Sequence, residues 1–113
     1  MKYKKSSWQN VNVENLDPKL KQQVYSTEKI MLVRYVYDPG LQFPEHSHPQ
    51  EQTTIVEKGK LIYGIEDEII EVEEGDLLTI PPHVRHSTLV PEGQQAIALT
   101  IFSPVTETVV IEK

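Results

Sequence analysis

A chain of 113 residues with one composition throughout reads as one domain, able to bury roughly 60–70% of its unfolded surface. Its 11 Lys and Arg against 17 Asp and Glu give a formal net charge of −6, the wrong sign for a nucleic-acid binder, whose basic residues would also cluster on one face. Cysteine is absent, which removes disulfides, thiolate metal ligands and cysteine nucleophiles, and no apolar run reaches the ~18 residues of a membrane span. With no apolar signal core at the N-terminus, a cytoplasmic location is the default expectation.

Residues 1–19 are polar, with Trp8 as the large apolar anchor, and are expected to stand apart from a barrel domain over 20–113. Lys2, Lys4 and Lys5 in this segment read as a solvated tail. Asp17-Pro18 marks a turn. Leu20 to Thr27 suits a first strand, although Lys19 to Gln23 would also suit a helical turn. Ile30 to Tyr37 is β-branched and aromatic without helical period, so it predicts a strong strand, ended by the turn chemistry of Asp38-Pro39-Gly40. A strand carrying His46 and His48 follows, then runs at Thr53–Glu57, Leu61–Ile65, Ile69–Val72 and Leu77–Ile80. Pro81-Pro82 stops the last of these, because proline cannot continue a central ladder. His86–Val90, Gln95–Phe102 and Thr106–Ile111 complete a set of about nine or ten short strands with no convincing helix, the pattern of an all-β sandwich or barrel.

Side chains two apart on a strand share a face, so His46 and His48 can offer two imidazoles to one point, half of a metal site. The same spacing also suits a pair of surface histidines. His86 supplies a third imidazole if its strand pairs beside the first histidine strand. The carboxylates from Glu66 to Glu74 crowd one turn and its strand, and read as a solvated surface that resists edge-to-edge pairing.

Two stretches together resemble the cupin superfamily. Its first motif, Gly-x5-His-x-His-x3-Glu-x6-Gly, is matched by Gly40, His46, His48, Gln52 and Gly59 with every spacing kept. Its second, Gly-x5-Pro-x-Gly-x2-His-x3-Asn, is matched by Gly75, Pro81, His83, His86 and Val90. The resemblance implies a double-stranded β-helix, or jelly-roll, barrel holding one divalent metal by His46, His48, Gln52 and His86. Zinc, iron, manganese, nickel and cobalt all suit three imidazoles and an oxygen.

Three positions depart from the pattern. Gln52 stands where the family has Glu; alternation turns Glu51 to the other face. Val90 replaces an Asn that is not a ligand, and His83 replaces a turn glycine, as a rim residue or a substrate contact. Three neutral imidazoles and a neutral amide would leave the ion its full double charge, which favours an anionic ligand in a low-dielectric barrel. Arg85 could assist a carboxylate, although alternation suits a surface position as well.

A narrower resemblance is to the small bacterial cupins of pectin degradation, which linearise unsaturated uronate sugars. Their end strand, Asp-x-Phe-Ser-Pro-Pro-Arg, is matched at Phe102, Ser103 and Pro104, but Thr100 stands at the Asp position and Thr106 at the Arg position. The base and the carboxylate clamp are therefore not carried over. His83, Phe102 and Tyr63 remain candidates to meet a substrate, with Tyr35 and Tyr37 as further pocket-wall candidates. The expected function is Lewis-acid isomerase or lyase chemistry on a small carboxylate or sugar acid. A non-catalytic ligand-binding or sensory module and an iron-dependent dioxygenase are the alternatives. The expected partners are a small anionic molecule and a second copy of the chain in a homodimer, without nucleic acid or membrane.

Overall fold

The structure, a computed structural model, describes residues 2–105. A single 3-10 turn at Trp8–Asn10 precedes ten strands: β1 (Glu14–Asp17), β2 (Leu20–Ser26), β3 (Met31–Tyr37), β4 (Gln42–His46), β5 (Glu51–Lys58), β6 (Lys60–Ile65), β7 (Glu68–Glu73), β8 (Leu77–Ile80), β9 (His86–Leu89) and β10 (Ala96–Ser103). They form two antiparallel sheets, one ordered β1-β2-β3-β10-β5-β8 and the other β4-β9-β6-β7. This is the all-β jelly-roll barrel expected of a cupin. The run expected at Thr106–Ile111 lies outside the described residues.

Strict alternation decides what fills the barrel. On β3 every second residue, Met31, Val33, Tyr35 and Tyr37, is buried, and on β10 Ala96, Ala98, Thr100 and Phe102 are buried. The two strands pair in continuous register, so the large β3 residues lie beside small ones on β10, as in Tyr37 with Ala96 and Tyr35 with Ala98. β6 and β7 of the other sheet add Leu61, Tyr63 and Val72 to the same core. The tight connection between β5 and β6 needs Gly59. Its φ is +78°, and a Cβ there would stand 2.6 Å from the Gln95 carbonyl oxygen.

Leu20–Ser26 is a strand and not a helical turn, because its whole length pairs with β3 while Leu20 and Gln22 turn inward. The polar N-terminal stretch contains a strand that composition does not announce: β1 pairs with β2 and extends the six-stranded sheet. Upstream of it the chain is pinned to its own β2. Gln23 donates through Nε2 to the carbonyls of Trp8 (2.7 Å) and Val11 (3.0 Å), and Lys4 Nζ donates to Ser26 O (2.8 Å) while lying over the Tyr25 ring. Lys4 is thus tied to the barrel, in contrast to the expected solvated tail.

Candidate metal centre

β4 is not a regular strand. Phe43 faces Thr88 and His46 faces His86, so three steps on β4 match two on β9. A bulge at Pro44 and Glu45 absorbs the extra residue. It turns His46 to the same side as Phe43, which simple alternation over three residues would forbid. Pro44, which lacks an N–H, fits a place where the ladder is interrupted. Glu45 is left pointing outward, where its Oε1 accepts from Arg85 Nε at 2.7 Å; Arg85 is therefore a surface partner of Glu45.

The strand ends at His46, and His48 lies in the bend between β4 and β5, a correction to the expectation of both histidines on one strand. The two imidazoles converge through the bend instead of through alternation, with ring centroids 5.9 Å apart. The bend is held from the second crossing loop. The His83 N–H donates to the His48 carbonyl oxygen at 2.8 Å, joining the β8–β9 connection to the β4–β5 connection. His83 does this in a left-handed conformation, φ +67°, at the position where the family motif carries glycine, and its side chain is exposed on the rim.

His86 completes the cluster as the cross-strand partner of His46, with centroids 4.3 Å apart. One ligating nitrogen from each of His46, His48 and His86 lies within 4.8 Å of the other two. Gln52, buried on β5 of the opposite sheet, brings its Oε1 to 3.0 Å from His48 Nε2. All four expected ligands therefore meet at one end of the barrel. Phe102, which pairs with Gln52 across β10 and β5, is buried and stands edge-on to His48 with centroids 5.6 Å apart. It is both a core aromatic and a wall of the site.

The tautomers of the three rings follow from their neighbours. Nδ1 of His46 lies 2.9 Å from Pro44 O, Nδ1 of His48 3.0 Å from Gln50 O, and Nδ1 of His86 2.9 Å from Val84 O. A carbonyl oxygen can only accept, so each Nδ1 carries the hydrogen and each neutral ring presents a bare Nε2. This is the arrangement that orients and strengthens imidazole ligands. His86 is 1% exposed, and its Nε2 is buried without a hydrogen-bond partner. Its pKa is lowered to about 4, by burial first and then by the neighbouring His46 and His48, against the raising effect of the Val84 carbonyl. At neutral pH it is an uncharged base whose Nε2 lone pair has no hydrogen-bond partner in the protein.

The contact between His48 and Gln52 points the same way. A bare Nε2 and an amide oxygen 3.0 Å apart are two lone pairs turned toward each other, an arrangement that a cation between them stabilises. The donor set of three imidazole nitrogens and one amide oxygen fits a divalent transition ion.

Beneath this layer the lumen is polar without being charged. Gln52 donates through Nε2 to Thr54 Oγ1 at 3.2 Å, Thr54 and Thr100 share a hydrogen bond of 3.1 Å, and Tyr63 O–H reaches Thr54 at 3.4 Å. Tyr63 lies one layer below the histidines, where burial holds its pKa above the usual phenol value. Tyr35 and Tyr37 are also buried, and burial raises both phenols. Thr100 is 1% exposed, and no Asp or Glu is buried among the described residues. The hydroxyl cluster was not singled out from the sequence. Thr54 lies two residues beyond Gln52 on the same strand, so alternation alone would have found it.

The model of the Cupin domain family matches residues 33–102. Among solved structures, an RmlC-like cupin from Shewanella frigidimarina superposes with a TM-score of 0.84 at 27% identity, covering 93% of this chain and 94% of that one. KdgF from Halomonas sp. superposes with a TM-score of 0.80 at 22% identity over 88% of this chain and 93% of that one, a likeness of fold. Among curated proteins, the acireductone dioxygenase of Bacillus cytotoxicus is 30% identical over 63 residues, 51% of this chain. The chain spans 37% of the length of that relative. No helix among the described residues is long and apolar enough to cross a membrane.

Proposed function

The chain belongs to the cupin family, and from that premise we propose that it holds one divalent transition metal on His46, His48, His86 and Gln52 and binds a small carboxylate or sugar acid there. The observation that carries this reading is the convergence of one ring nitrogen from each of His46, His48 and His86, with the Nε2 of His86 buried without a partner. When bound, the ion supplies Lewis acidity, polarising an oxygen of the ligand for isomerisation or elimination. Three neutral imidazoles and a neutral amide leave its charge undiminished, so an anion is favoured over a neutral molecule in this low-dielectric setting. The chain's own residues hold the rings through backbone carbonyls and wall the site with Phe102.

A second reading, a barrel that binds its ligand without turnover, is favoured by the absence, among the described residues, of a buried carboxylate to move a proton. Thr100 is buried and bonded to Thr54, so it offers no base where the uronate-linearising group carries Asp. The test is elemental analysis of the purified protein beside His48→Ala and Gln52→Ala. About one equivalent of metal is expected in the wild type, lost in the first variant and weakened in the second. A wild type that takes up no metal after reconstitution would sink the proposal. Iron would direct attention to oxygenation, given the likeness to acireductone dioxygenases, and zinc, manganese or nickel to Lewis-acid chemistry.

A homodimer belongs to the same proposal. The outward side of the six-stranded sheet carries Leu32 and Val36 on β3, Ile97, Leu99 and Ile101 on β10, and Ile55 on β5, all partly exposed. Ile97 pairs with Val36, Ile101 with Leu32 and Leu99 with Ile55, so these residues form an apolar stripe along β10, with Arg34 opposite Leu99 between Leu32 and Val36. An identical surface on a second copy is its natural cover, since a two-fold contact sets like against like and needs no opposite charge on a chain of net −6. A monomeric mass for the wild type at micromolar concentration would rule this out; Leu99→Glu is expected to produce that monomer.

A further inference from the structure

We propose that Thr54, backed by Thr100, is the positioning residue that keeps the Gln52 amide turned with its oxygen toward the histidines. The inference rests on Gln52 being the fourth ligand. A carboxylate at this place would present an oxygen whichever way it turned. An amide has two unlike ends, and rotation by half a turn would replace the ligand oxygen with an NH2 group that cannot bind a metal. A glutamine in a ligand set therefore requires something that tells its ends apart.

The neighbours of the amide nitrogen provide this. Gln52 Nε2 is 3.2 Å from Thr54 Oγ1, and Thr54 is fully buried, so no water competes for that contact. A hydroxyl has one hydrogen and two lone pairs. Tyr63 O–H approaches one lone pair at 3.4 Å. The single hydrogen of Thr54 can go to Thr100 Oγ1, 3.1 Å away, or back to Gln52. When it goes to Thr100, the second lone pair of Thr54 is free to accept only from an amide N–H, and the oxygen of Gln52 must face His48. When it goes to Gln52, the amide must reverse. Either hydroxyl of the pair can be the donor, and the arrangement that keeps the Gln52 oxygen toward His48 is the one in which Thr100 accepts the Thr54 hydrogen. Cross-strand register builds the pair into the fold, because Thr54 faces Thr100 directly across β5 and β10.

The test is titration of the metal-free full chain with Co2+, following affinity and the visible absorption bands of the bound ion. Thr54→Val keeps shape and removes the acceptor; it is expected to weaken Co2+ binding roughly 10–100-fold and to change the band pattern, while Thr54→Ser stays within about threefold of wild type. Thr100→Val, which touches neither Gln52 nor the histidines by hydrogen bond, is expected to weaken binding in the same sense by removing the acceptor of the Thr54 hydrogen; Thr100→Ser restores it. This second pair carries the test if Thr54→Val does not fold. Wild-type affinity and spectrum in both valine variants, with Gln52→Ala weakened, would overturn the positioning role while leaving Gln52 as ligand. Wild-type binding in Gln52→Ala would overturn the ligand reading and this inference with it.

Discussion

The buried, uncharged state of His86 makes the metal-free protein acid-sensitive in a way that one substitution can isolate. In the unfolded chain its imidazole titrates at the ordinary 6.5, and in the folded protein at about 4. Between those values the unfolded chain takes up a proton that the folded one refuses. The contribution to stability is therefore fully present above pH 6.5 and is lost as pH falls toward 4. For these two values the loss relative to neutral pH is about 2 kcal/mol at about pH 5 and about 3 kcal/mol at about pH 4. Against the 5–15 kcal/mol typical of a domain, roughly, that is a large fraction. The assay is urea denaturation of chelator-treated protein at about pH 7.5 and about pH 5, wild type beside His86→Leu, whose apolar side chain cannot titrate. The wild type is expected to lose about 2 kcal/mol more than the variant over that interval. Parallel losses would refute the argument, because they would mean that His86 is protonated inside the fold or solvated in it.

His83 holds a left-handed backbone conformation that costs a non-glycine residue roughly 1–2 kcal/mol. His83→Gly is expected to stabilise the fold by about 0.5 kcal/mol, the relief being partly offset by glycine's freedom in the unfolded chain. A lower denaturation midpoint would show instead that the ring makes a stabilising contact on the rim. Gly59→Ala combines the same backbone cost with a Cβ set against the Gln95 carbonyl, so a loss of roughly 2–5 kcal/mol is expected in urea denaturation. An unchanged midpoint would mean that the β5–β6 turn relaxes without cost.

The four converging side chains were legible in the sequence because the motif spacing places Gln52 and His86 as well as the His46–His48 pair. The reason they converge was less so. Two histidines two apart suggest a strand, yet the strand stops at His46, and the geometry comes from a bulge at Pro44–Glu45 and a bend at His48. A bulge leaves no periodic trace. The backbone carbonyls that set the ring tautomers, from Pro44, Gln50 and Val84, are invisible to any reading of side chains. The inward face of β3 is weakly marked in the sequence, because Leu32 and Val36 are as apolar as Met31 and Val33 and Arg34 alone marks the outward side.

The buried nitrogen of His86 links the site to folding. Burying the Nε2 of His86 without a partner costs about 1–3 kcal/mol, a loss the barrel accepts in the metal-free state. A cation held by that nitrogen would remove the penalty. Since His86 lies far in sequence from His46, His48 and Gln52, the full ligand set exists only in the folded chain, and an ion bound there would stabilise that state by about 2.7 kcal/mol at a hundredfold excess over its dissociation constant. That gain and the acid sensitivity of His86 act on one nitrogen. Protons and metal must therefore compete for it, and the metal-bound protein should resist mild acid better than the metal-free one for as long as the ion stays in place.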